Sequence, residues 1–136
     1  MERDYLLSVA NTIWQQILVG GGDISIPMSW GIEKRVAIAR RCSNNELRPC
    51  LALKVSGLLH QGWVIIALNE GLDTYEILLV NEDGMYDKDG WIKDVYWDEL
   101  TMTIDNLVER PNWVSDNEYY EKAMADSDKK MGYGKY

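Results

Sequence analysis

Leu51-Ala52-Leu53-Lys54-Val55, then Trp63-Val64-Ile65-Ile66-Ala67-Leu68, then Thr74-Tyr75-Glu76-Ile77-Leu78-Leu79-Val80 form the stretch that decides the fold. In the first run Leu51, Leu53 and Val55 alternate with Ala52 and Lys54. A period of two is that of a half-buried strand. The second run is apolar on both faces, which predicts a strand at the centre of a sheet. The third follows Asn69-Glu70-Gly71, whose residues have hairpin chemistry.

Upstream of these runs, Val36 and Ile38 lie within a further strand from Arg35 to Arg40. Ile24, Ile26, Met28 and Trp30 alternate with Ser25, Pro27 and Ser29. The alternation predicts another strand, and Pro27 marks it as an edge. The period changes at the N-terminus. Leu6, Val9, Ala10, Ile13 and Ile17 recur at helical spacing, with Trp14 at the margin of the stripe. Asp4 is placed to cap that helix, and Gly20-Gly21-Gly22 stops it.

Downstream, Asn81 to Gly90 is a turn-rich acidic stretch. Trp97, Leu100, Ile104 and Leu107 then form the stripe of a second helix, with Asp94 as its cap. Arg110-Pro111 ends it, because a residue before proline is pushed out of helical geometry. Ser115 with Glu118 is a capping box for a third, short helix through Met124. The fold class is therefore α+β. It has an N-terminal helix, an antiparallel meander of four to five strands, and a C-terminal helix packed on one face. Residues 1–125 make a single α+β domain, and 126–136 read as a flexible tail.

Composition sets the outer bounds. A chain of 136 residues buries roughly two-thirds of its unfolded surface, enough for a core without staples. No secretory signal is read at Met1-Glu2-Arg3-Asp4, and no apolar run is long enough to span a membrane. The expected location is cytoplasmic, with no membrane partner. There Cys42 and Cys50 read as two reduced thiols, although a bridge across the intervening loop is open to them. With one histidine they cannot close a structural zinc site, and no cofactor is expected.

The net charge of −8 is unevenly placed. Residues 1–69 carry seven Lys/Arg against five Asp/Glu, whereas 70–136 carry seven against seventeen. Such an acidic half disfavours nucleic acid as a partner.

Thr12-Ile13-Trp14-Gln15-Gln16-Ile17 before a glycine cluster, and Met28-Ser29-Trp30-Gly31 after it, carry a resemblance. So do Leu68-Asn69 with Asp73-Thr74-Tyr75, and Val95-Tyr96-Trp97-Asp98-Glu99-Leu100. Together they are similar, in the same order over residues 11–108, to a family of small uncharacterised proteins of phages and bacterial mobile elements. The resemblance implies an α+β fold and a mobile-element context. It supplies no catalytic residues.

Candidate sites were weighed against plainer roles. Asp83, Asp87, Asp89 and Asp94 offer hard oxygen ligands that suit Ca²⁺. The EF-hand spacing fails, and a solvated acidic turn is the plainer account. Arg35, Arg40, Arg41 and Arg48, with Lys34, form a basic hairpin over residues 33–48 that could meet phosphates or an acidic partner. The plainer account is a solvent-facing hairpin paired with the acidic half, across a homodimer if one forms. Trp30, Trp91 and Trp113 sit near element ends and are contact-surface candidates. Trp14, Trp63 and Trp97 suit a core. His60 reads as a turn residue.

No catalytic constellation is legible. The expected function is a non-enzymatic accessory or protein-interaction module of a mobile element, acting on a protein partner or as a homodimer. The alternatives are a small-ligand binder or enzyme on the sheet face, with the acidic loop, His60 and Tyr75 as its groups, and nucleic-acid association through the 33–48 hairpin.

Overall fold

The computed structural model describes residues 1–109. Helix α1 (Arg3–Gly20) leads through a single helical turn, α2 (Ser25–Met28), into five strands. These are β1 (Lys34–Arg41), β2 (Leu47–Ser56), β3 (Gln61–Asn69), β4 (Thr74–Asn81) and β5 (Tyr86–Val95). Helix α3 (Leu100–Val108) follows. The strands pair in chain order, every neighbour antiparallel, so the sheet is a simple meander with β3 at its centre. The protein is α+β, as the periodicities predict.

Two clusters of buried side chains follow from the strand alternation. Leu51, Leu53 and Val55 of β2, Val64 and Ile66 of β3, and Ile77 and Leu79 of β4 share one face. On them pack Val9, Ile13 and Ile17 of α1 and Leu100, Ile104 and Val108 of α3. Burying each such side chain contributes about 1.5–3 kcal/mol. The opposite face gathers Cys50, Ala52, Ile65, Ala67, Leu78 and Val80 into a second cluster. That is why the β3 sequence is apolar throughout.

The two helices are tied at one point. Thr101 Oγ1 donates to the carbonyl of Ile17 at 2.6 Å in a buried setting. The close approach needs glycine at 21, where a Cβ would lie 2.7 Å from Thr101 Cγ2.

The stretch from Ile24 to Trp30 is not a strand. Ser25–Met28 form a helical turn, started by Asp23, whose Oδ1 accepts from the Ser25 N–H at 2.9 Å. Ser29 Oγ closes the turn on the Ile26 carbonyl at 2.7 Å. Local side-chain bonds of this kind compete with strand geometry, and here they prevail over alternation. The fifth strand lies instead at Tyr86–Val95, reaching into the acidic stretch read as turn. Asp94 does not cap α3. It lies within β5 with a positive φ of 59°. A turn at Trp97–Glu99 precedes α3, and Glu99 Oε2 accepts from the Tyr96 N–H. Trp97, expected in the core, is exposed. Asp4 lies in the first turn of α1, and the N-cap residue is Glu2. The third helix read at Ser115–Met124 and the tail at 126–136 lie outside the described residues. Among the described residues no helix is long and apolar enough to cross a membrane.

Candidate functional site

Among the described strands β1 is one edge of the sheet, and its sequence suits it to remain open. None of its eight residues is buried. It pairs with β2 in unbroken register from Lys34↔Lys54 to Arg41↔Leu47. The Cys42 N–H donates to Glu46 at 2.9 Å beyond the last pair. Antiparallel ladders alternate. Hence the N–H groups of Arg35, Ala37, Ala39 and Arg41 turn to the side away from β2. The other edge among the described strands, β5, differs. Its pairing with β4 shifts register twice, between Tyr75/Ile77 and between Leu78/Val80. Such irregularities spoil an edge as a template for another strand.

A groove runs beside β1 on the helix face. Its larger part encloses about 690 Å³ between Trp14 and Leu18 of α1, Ile24, Pro27 and Met28 of the α2 segment, and Ile32, Glu33 and Arg35. A smaller part of about 180 Å³ continues past Leu7, Ala10 and Asn11 of α1 to Val36 and Ala37. Both parts share Trp14 and Arg35. The Arg35 guanidinium sits over the Trp14 ring, 4.7 Å from its centroid. This contact is worth about 0.5–1 kcal/mol where solvent reaches it. Leu7, Trp14 and Leu18 line the groove because they recur on one flank of α1. Ala37 is small enough to leave room opposite. At one end Lys54 Nζ holds Glu33 Oε2 at 3.7 Å.

Of the basic residues on the hairpin, Lys34, Arg35 and Arg41 are exposed and Arg40 is half-buried. Arg41 also donates to the Asn45 carbonyl at 3.0 Å. Arg48 is a different case. It is buried and paired with Glu46 Oε2 at 2.9 Å and with Glu76 Oε1 at 3.3 Å. Its charge is consumed inside the protein, so it does not belong to the basic edge.

Glu76 was not legible as a site residue. It is a buried carboxylate in the middle of an apolar strand, and that oddity was its only signal in the sequence. Besides Arg48, it accepts from Ser43 N–H and Ser43 Oγ, both at 3.2 Å, and from Trp91 Nε1 at 2.9 Å. Trp91 therefore spends its polar atom inside the molecule. Its ring meets Tyr86 edge-on at 5.7 Å. Trp30 is not on a contact surface. It is fully buried, and its Nε1 donates to Asp105 Oδ1 at 2.8 Å. Two tryptophans thus anchor two buried carboxylates. Trp113 lies outside the described residues.

The acidic candidates do not converge. Asp83 accepts from the Met85 N–H in the β4–β5 turn, whereas Asp94 lies at the far end of β5. Asp87 is exposed on the strand between them, and the Asp89 side chain is outside what the structure describes. Among the described residues no group of three or more His, Cys, Asp or Glu could hold a metal ion. A polar recess of about 200 Å³ lies near Asp94, lined by Ser43, Arg48, Thr74, Tyr75, Glu76 and Lys93 among others. Its two strongest charges, Arg48 and Glu76, already neutralise each other. His60 is buried in the β2–β3 turn, with its Nε2 3.1 Å from the Trp63 carbonyl.

The thiols Cys42 and Cys50 are both free and buried. Contact with Cys42, then burial, pushes the Cys50 thiol well above its ordinary range. The Cys50 S–H holds the Cys42 thiol below its own ordinary value. Gln16 also acquires a role, since it accepts from the Tyr75 hydroxyl at 2.6 Å and ties α1 to β4.

No family model, curated protein or solved structure matches this chain.

Proposed function

We propose that this chain is a protein-interaction module that captures an extended segment of a partner by adding it to the sheet along β1. The observation that carries the proposal is an apolar groove of about 690 Å³ lying beside an edge strand that is regular and free of bulges. An added strand gains affinity from main-chain hydrogen bonds to the edge. It gains specificity from alternate side chains that enter an adjacent groove. Both elements are present. Outward N–H groups recur at Arg35, Ala37, Ala39 and Arg41, and the flank of α1 supplies Leu7, Trp14 and Leu18. With the sequence likeness described above, the chain reads as an accessory module of a mobile element.

A single substitution separates this mode from generic surface binding. Ala39→Pro removes an outward N–H and leaves the ladder to β2 intact, because proline is tolerated on the open side of an edge strand. Peptides selected from a random library by the full chain are expected to lose binding to Ala39→Pro. On the unaltered chain they are expected to slow hydrogen exchange at Ala37 and Ala39. Selected peptides that bind Ala39→Pro equally well, or protect no β1 amide, refute strand addition.

A further inference from the structure

We infer that the segment taken up by β1 is acidic at both ends and apolar at its centre; this rests on the strand-addition mode proposed above. The eight residues of β1 divide into Lys34-Arg35, Val36-Ala37-Ile38-Ala39 and Arg40-Arg41. Cations flank an apolar centre. In a chain of net charge −8, these four cations would be expected to find carboxylates nearby. They do not. Among the described residues the ion pairs are Arg48–Glu46, Arg48–Glu76 and Lys54–Glu33, so no carboxylate lies within ion-pair distance of Lys34, Arg35, Arg40 or Arg41. The acidic groups nearest in sequence, Glu33 and Glu46, are engaged elsewhere. Among the described residues the edge is therefore a strip of uncompensated positive charge with an apolar middle.

The same pattern argues against a second copy of the chain. Two β1 strands related by a two-fold axis would run antiparallel. The two-fold keeps each side chain on its own face, so the registers that align the apolar centres place Lys34 opposite Arg40, or Arg35 opposite Arg41. Like charges directly opposite in a ladder are destabilising, and opposite charges stabilise. Alternation also specifies the partner. Lys34 and Arg40 share the face of Val36 and Ile38, whereas Arg35 and Arg41 share the groove face with Ala37. A complementary strand needs two adjacent acidic residues at each end, so that both faces are matched. Electrostatic complementarity of this kind sets orientation and partner choice more than raw affinity.

The test uses the full chain and three fluorescent peptides, each as long as β1. All share a Val-Thr-Val-Thr centre and differ only in their ends: Glu pairs, Gln pairs or Lys pairs. The expected order is Glu-ended tightest and Lys-ended weakest, separated by roughly ten- to a hundredfold, with the gap shrinking at high salt. The exposed double variant Lys34→Glu/Arg41→Glu leaves one cation and one anion at each end and is expected to remove most of that spread; an undiminished spread overturns the inference. Unaltered binding of the Gln-ended peptide shows that the variant is folded. If the Gln-ended peptide binds as well as the Glu-ended one, the charge inference fails while strand addition stands. If no peptide binds, both fail. Single-stranded DNA that competes at low salt would make the edge a nucleic-acid surface and overturn the inference. So would a homodimer that Ala39→Pro dissolves.

Discussion

At the residue scale, two buried carboxylates set the terms. Glu76 is an acceptor for Ser43 and Trp91 and the counter-ion of Arg48. Removing Glu76 leaves Arg48 with only the exposed Glu46 as counter-ion and takes the acceptor from Ser43 and Trp91, which costs about 3–5 kcal/mol. Glu76→Leu alone is expected to lose that much in urea unfolding. Glu76→Leu combined with Arg48→Met is expected to recover most of the loss, because an apolar replacement of the whole pair is close to neutral. Tyr75 gives a pH signature. Burial, then the charge of Asp73, raises its phenol above the ordinary value of 10.0. The folded state thus prefers the neutral phenol. The stability this confers is intact below pH 10 and is lost as pH rises through the raised value. Tyr75→Phe is expected to flatten that alkaline loss in thermal melts. At neutral pH it is expected to cost about 0.5–1.5 kcal/mol for the bond to Gln16. The thiols predict a third outcome. Brief alkylation of the folded protein is expected to label Cys42 before Cys50 in peptide mass mapping, since only Cys42 has a lowered thiol value.

At the element scale, the sheet was legible where period and length agreed. β2, β3 and β4 each carry a long apolar or alternating run, and the order of a meander follows from their short turns. β5 was not legible. Asn81, Gly84 and a run of aspartates signalled a turn, whereas Trp91, Ile92 and Val95 pair with β4 through a broken register that no single period describes. The α2 segment was misread because Ile24, Ile26, Met28 and Trp30 alternate by coincidence. The Asp23 side chain starts a helical turn there instead, and that turn forms the floor of the groove. The basic edge was visible as composition. Its separation from Arg48 was not, because burial of Arg48 depends on Glu76, distant in sequence. The β2–β3 hairpin offers a test of element geometry. Gly62 has a φ of +140°, and a Cβ there would lie 2.4 Å from the Val80 carbonyl oxygen. Gly62→Ala is expected to cost about 1–3 kcal/mol in denaturant unfolding.

At the scale of the whole molecule, stability and the proposed recognition fall to different parts. The buried clusters lie over β2 to β4, while the groove and the open N–H groups lie along β1. Ala39→Pro is accordingly expected to change unfolding free energy by less than about 1 kcal/mol while abolishing peptide capture. A calorimetric titration beside a urea melt checks both halves of that statement. The two edges of the sheet also differ in kind, because the register breaks along β5 leave β1 as the regular one. A particle with two competent edges is a bifunctional monomer and grows into a fibre. A particle with one is a chain stopper. The irregular edge therefore fixes a stoichiometry. If β1 takes up a strand as proposed, each copy takes up one, and its complexes end at one to one.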